Sequence, residues 1–182
     1  MKGYSKEVIH MRSDNKANFS NKDITPFCPA AGAGPDTSAF SPEDALKLDV
    51  QLCFPLYAAS REVIKNYRPL LEELDLTYTQ YIAMMVMWEQ KAISVKDMGQ
   101  KLFLDSGTLT PVLKALEKKG YVSRRRSPDD ERVLIVEITE DGEALKDQAV
   151  TVPQKIADCI SLEPQEAMEL YRILYKILGK EI

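Results

Sequence analysis

The 182-residue sequence holds one histidine, His10, in a polar stretch. A Ser-His-Asp triad or a histidine-rich metal site would have to be built around that single imidazole, which argues against both. Cysteine is scarce too. Cys28, Cys53 and Cys159 are an odd number with no CxxC pair, so neither a disulfide framework nor a zinc centre is expected. No apolar run approaches the roughly 20 residues that span a bilayer; the longest runs from Tyr81 to Trp88. Residues 1–19 lack the apolar core of a secretory signal. The expectation is a cytoplasmic protein with no membrane partner, no cofactor and no metal. Positive charge is also short: 24 Lys and Arg against 28 Asp and Glu, for a net −4. Over the whole chain that balance opposes nucleic-acid binding, which then requires basic residues clustered on one surface.

What is present divides in two. Residues 1–40 read as a poorly ordered tail, polar at first and then small-residue-rich over Pro29–Pro35. Cys28 in this tail reads as an incidental thiol. Residues 41–182 carry periodic apolar patterns and form the domain. Ser41, Pro42, Glu43 and Asp44 have the chemistry of a helix start. Leu48, Leu52, Leu56, Ala59, Val63 and Tyr67 continue at helical spacing, with a kink expected at Pro55. A second helix is expected from Thr77, with Gln80 in the capping-box position. A third follows from Ser94 and a fourth from Asp105 or Ser106 to Gly120. The period then changes to alternation over residues 121–126 and 133–138, around the turn residues Ser127–Asp130, which is a β-hairpin. Thr139 opens a fifth helix and Pro164 a sixth.

Two closely spaced helices followed by a charged hairpin describe a winged helix-turn-helix. The fold expected is mainly α with a small β-hairpin wing. The helices flanking it have apolar faces that need partners, and a second copy supplies them most simply, giving a homodimer joined through its N- and C-terminal helices. The recognition helix would present Asp105, Ser106, Thr108 and Thr110 to base edges or phosphates, with Lys114 on phosphate. The other reading of Ser106 and Thr108 is that they only cap the helix. Arg124, Arg125 and Arg126 precede the hairpin turn and Arg132 follows it, next to Lys118 and Lys119. This is the local cluster that the net charge called for. Arg132 suits a minor groove, with Asp129, Asp130 and Glu131 as candidates to hold its geometry.

The residues Leu102–Lys114, Asp129–Arg132 and Leu134–Gly142 resemble the MarR family. Leu48–Tyr57 and Leu74–Tyr81 look like its organic-hydroperoxide-sensing branch. The resemblance covers about Leu46 to Leu178. It implies a DNA-binding repressor, not an enzyme, acting on a pseudo-palindromic double-stranded operator. It implies that Cys53 is the peroxide-reactive cysteine and that Tyr67 and Tyr78 reach it from the other subunit. It implies Arg132 as the wing-tip arginine, and Asp105–Thr110 with Lys114 in the major groove. Cys159 lies roughly where two-cysteine members carry a resolving thiol.

The chemistry is consistent with these roles. A thiolate attacks a peroxide oxygen, and phenol hydroxyls that donate to sulfur favour its charged form. The sulfenic acid that results condenses with another thiol. Two readings of Cys159 stay open: it closes an inter-subunit disulfide with Cys53, or it is a buried apolar residue and a small cellular thiol caps Cys53. A further alternative is a MarR-type repressor released by a small aromatic ligand, with tyrosines and Met84, Met85 and Met87 around a pocket. A thiol peroxidase is the remaining class, and the strand–helix alternation it needs is absent.

Overall fold

A computed structural model describes Glu43 and residues 46–180. The expected tail, Cys28, His10 and the Ser41–Pro42–Asp44 helix start lie outside the described residues. Two compact units divide the chain, the first ending at Ala58 and the second beginning at Ala59.

In the first unit a short 3-10 turn occupies Leu48–Val50, and helix α1 (Cys53–Glu72) starts only at Cys53. The helix expected from Ser41 through Leu48 and Leu52 is therefore not one helix. This also changes the role of Pro55. It sits in the first turn of α1, where backbone N–H groups have no intrahelical partner, so it deletes no bond. The Gln51 carbonyl, whose bond Pro55 was expected to remove, accepts from the Phe54 amide at 3.2 Å. The interior proline is Pro69, near the end of α1.

In the second unit α1 ends in a turn without glycine. The Leu76 and Asp75 amides bond back to the Leu71 and Glu72 carbonyls, and Asp75 takes φ 50°. Aspartate tolerates this left-handed position better than most residues. Helix α2 (Tyr78–Gln90) follows, with Thr77 and Gln80 forming the expected reciprocal box. Seven of its 13 residues are buried, so it is the central helix of the core. Strand β1 (Ala92–Ser94) comes next and was not expected. Ser94 caps helix α3 (Val95–Leu102), and Asp105 caps helix α4 (Ser106–Lys118). Gly120, at φ 79°, ends α4 where a side chain would be strained.

Strands β2 (Val122–Arg126) and β3 (Leu134–Ile138) form the hairpin. The sheet is antiparallel in the order β1-β3-β2, with Val136 opposite both Ile93 and Arg124. Thr139 caps helix α5 (Glu140–Ala149). A Cβ at Gly142 would come within 2.1 Å of the Tyr121 carbonyl oxygen, so only glycine lets α5 press this close to the base of the hairpin. Trp88 Nε1 donates to the Gly142 carbonyl at 2.8 Å and ties α2 to the same point. Helices α6 (Val152–Ala157) and α7 (Pro164–Ile177) complete the chain. The break between α5 and α6 moves Cys159, expected near the end of the fifth helix, to just beyond α6. The elements α2, α3, α4 and the hairpin form a winged helix-turn-helix. Among the described residues no helix is long and apolar enough to cross a membrane.

Candidate functional site

The candidate recognition helix α4 is amphipathic. Leu109, Leu113 and Leu116 face the core at 1% exposure or less, which turns the opposite face of its first turns to solvent. The Asp105 carboxylate accepts from the Thr108 amide and, through its second oxygen, from the Thr108 hydroxyl, both at 2.9 Å. These bonds, the backbone one first, hold the Asp105 carboxyl below the usual carboxylate range. Asp105 is thus the cap, and Ser106 and Thr108 are not. The Thr110 hydroxyl donates back to the Ser106 carbonyl at 2.6 Å. Pro111 is the sixth residue of α4, beyond its first turn, and removes the bond to the Gly107 carbonyl. Lys114 is exposed.

The arginines of the hairpin divide into two kinds. Arg124 is turned back onto α4: its Nε donates to Glu117 Oε2 at 2.9 Å, and its side chain is only 19% exposed. Arg125 donates to Glu137 on β3 at 3.0 Å from Nε. The hydrogen bonds from these guanidinium groups hold the Glu117 and Glu137 carboxyls below their ordinary range. Arg126 donates to the Glu131 carbonyl near the turn. Arg132 is exposed, and its guanidinium makes no hydrogen bond or ion pair among the described residues. The carboxylates expected to hold that guanidinium do not do so: Asp130 Oδ1 accepts from the Arg132 backbone amide instead, at 2.9 Å. An open groove of about 1130 Å³ lies between the hairpin and β1 with α3 and reaches the start of α4, with Lys101, Ser106, Thr110, Arg125 and Arg132 among its walls.

The second cluster is aromatic. Tyr67 of α1 and Tyr78 of α2 meet edge to face, with ring centroids 4.9 Å apart. Tyr81, 3% exposed, lies 5.9 Å from Tyr67 and 6.2 Å from Trp88. Burial raises the phenol pKa of Tyr67, Tyr78 and Tyr81, with the neighbouring tyrosines adding to it at Tyr67 and Tyr81. A phenol is protonated at neutral pH even when exposed, and burial leaves these hydroxyls as donors. A cleft of about 790 Å³ opens beside Tyr78, floored by Leu71 and Leu76 and rimmed by Lys65 and Arg68. Met84 and Met87 are fully buried in the core, whereas Met85 is 46% exposed.

Cys53 is exposed at the first position of α1, its Sγ 3.9 Å from Gln51 Oε1. Cys159 is exposed as well, and its thiol donates to the Lys155 carbonyl at 3.3 Å. Within the single chain Cys159 is not buried. Sequence reasoning missed Glu117, Glu137 and Tyr81. The first two are acids that pair with arginines on other elements: the hairpin register brings Glu137 to Arg125, and the packing of α4 beside β2 brings Glu117 to Arg124.

Comparison with known proteins places this geometry. A family model described as transcriptional regulator SarA/Rot matches residues 65–149. The organic hydroperoxide resistance transcriptional regulator of Bacillus subtilis is 47% identical over 135 residues, covering 74% of this chain and 92% of that protein. AbfR of Staphylococcus epidermidis, solved in an overoxidised form bound to DNA, superposes with a TM-score of 0.62 at 33% identity, over 75% of this chain and 96% of that one. Disulfide-formed AbfR gives 0.52 at 34% identity, over the same shares of both chains. The order of elements, the charged hairpin and this level of identity agree: the chain belongs to the MarR family of winged-helix transcriptional regulators, in its organic hydroperoxide resistance branch, a family of regulators and not of enzymes.

Proposed function

We propose that this protein is a homodimeric repressor that binds a pseudo-palindromic operator when reduced and releases it when an organic hydroperoxide oxidises Cys53. The observation that carries the reading is the exposed Cys53 at the head of α1 in a chain 47% identical to an organic hydroperoxide resistance regulator. The dimer reading rests on α7, which buries none of its 14 residues and exposes Met168, Leu170, Tyr171 and Ile173. On DNA, Ser106, Thr108, Thr110 and Lys114 would enter the major groove, with Asp105 fixing the first turn of α4. Two such helices in a twofold dimer read half-sites about 34 Å apart. Arg126 and Arg132 reach the backbone or minor groove, while Arg124 and Arg125 brace the wing.

The Cys53 thiolate attacks one peroxide oxygen, the O–O bond breaks, and the alcohol leaves with a proton, so the sulfur becomes a sulfenic acid. Tyr67 and Tyr78 of the other subunit, as protonated phenols, would donate to that sulfur. The thiol of Cys159, or of a small cellular thiol, then displaces water and forms a disulfide. AbfR in its overoxidised form was solved on DNA, which supports assigning release in this chain to the disulfide step rather than to oxygen added at sulfur. The disulfide repositions the helices that set the half-site spacing, a population shift away from the DNA-binding form. A gel shift with operator DNA and cumene hydroperoxide tests this. Wild type is expected to release the DNA and Cys53→Ser to retain it. Release by the serine variant would refute the reading.

A further inference from the structure

The basic run at the end of α4 contains one lysine that does not face solvent. Lys118 is exposed, but Lys119 turns inward, with its side chain 24% exposed. Its ammonium bonds the backbone carbonyl of Asp75, lies 3.0 Å from Asp75 Oδ2 and 3.4 Å from Gln80 Oε1. Two of these acceptors belong to Asp75 in the connection between α1 and α2, and the third to Gln80 in the first turn of α2. That connection is a demanding one. Asp75 holds it in the left-handed conformation, and Leu74 and Leu76 on either side are buried. Gln80 is the one buried polar residue of the described core, and its Oε1 already accepts from the Thr77 amide in the α2 capping box. The Asp75 carboxylate is 83% exposed, so the ion pair itself contributes little. The carbonyl and the buried Gln80 oxygen are the anchoring partners.

The same connection joins the two tyrosines. Tyr67 precedes it on α1, Tyr78 opens α2 after it, and their rings touch across it. The Lys119 backbone caps α4 at the other end of this contact, its amide bonding the Ala115 carbonyl. We propose that Lys119 is a positioning residue that couples the Tyr67–Tyr78 connection to the recognition helix, so that a change at the tyrosines moves α4. The inference rests on the redox reading of those tyrosines. It assigns Lys119 to coupling and not to phosphate contact, which its place in the basic run would suggest. The contact joins α4 directly to the segment that carries Tyr78, which is the physical continuity a transmitting element requires.

The test uses full-length wild type, Lys119→Met, Lys119→Arg and Lys118→Met. Operator Kd is measured by fluorescence anisotropy in reduced and cumene-hydroperoxide-treated protein. Lys119→Met is expected to shrink the ratio of oxidised to reduced Kd by about three- to tenfold. Lys119→Arg, which keeps the cation, retains most of the wild-type ratio, and Lys118→Met retains all of it. A lysine with a merely structural role would weaken both forms alike and leave the ratio unchanged. An unchanged ratio in Lys119→Met, or an equal fall in Lys118→Met, beside a wild type that releases DNA, overturns this inference alone. A wild type that keeps its operator after oxidation overturns the sensing reading, and this inference with it.

Discussion

Helices α4 and α7 are nearly the same length, 13 and 14 residues, and both are amphipathic, yet they end in opposite situations. α4 places three leucines in the core and is pinned at its end by Glu117 to the wing and by Lys119 to the α1–α2 connection. α7 has no fully buried residue, and it carries Met168 at 70% exposure and Tyr171 at 49%. The contrast separates what the described residues satisfy among themselves from what they leave open. The DNA-reading unit is complete within a monomer, because every apolar residue on its inner face has a partner. The terminal helix follows the same pattern rules but has no counterpart among the described residues, and a second chain would supply one. Position and assembly are thus separate problems, solved by different helices.

The contrast is sharpest in stability. Leu113→Ala is expected to cost about 2–5 kcal/mol in urea unfolding, because Leu113 is 1% exposed. Ile173→Ala, at 41% exposure, should change monomer stability by about 0.5 kcal/mol or less. Equal losses at both positions would erase the distinction. The reverse is expected for assembly. Met168→Glu with Tyr171→Glu should raise the dimer dissociation constant roughly tenfold or more in sedimentation equilibrium, while Thr108→Ala leaves it unchanged. Within the reading unit, Arg132→Ala should reduce the slope of log Kd against log salt by about 0.9. Arg124→Ala should weaken binding with the slope intact, since its guanidinium is held by Glu117 and not by phosphate. The smallest effect concerns pH. The Glu117 carboxyl is depressed in the folded protein by Arg124. Its contribution is therefore present above the unfolded value, about 4.3, and is lost as pH falls through the lower folded value. Operator binding by wild type should loosen in that acid window, and Arg124→Ala should remove that component.

Local chemistry was legible and distant pairing was not. The caps at Thr77, Ser94, Asp105 and Thr139 and the stop at Gly120 depend on residues within four positions of each other, and the sequence displays all of them. The hairpin was equally plain, because its alternation and its turn residues are contiguous. Strand β1 escaped notice since three residues carry no period, and it becomes a strand only by pairing with β3 more than 40 positions later. The start of α1 was misplaced because the apolar spacing continues upstream of Cys53 through a 3-10 turn. The second break, before α6, had a signal in Pro153, which sits in the first turn of that helix. At the site, the types and positions of the basic residues were evident. Their division into braces and exposed cations was not, because Arg124–Glu117 and Lys119–Asp75 depend on which elements lie side by side. The tyrosines entered through family resemblance, and the raised phenol pKa values needed the packed rings.

The central claim is that chemistry at one sulfur decides whether the operator is held. The most direct measurement is the intact mass, without reductant, and the peptide map of the protein that cumene hydroperoxide frees from operator DNA. The account predicts that the freed protein carries Cys53 in a Cys53–Cys159 or mixed-disulfide peptide, and that the protein still on DNA lacks this disulfide. Freed protein with an unmodified Cys53 would contradict the account.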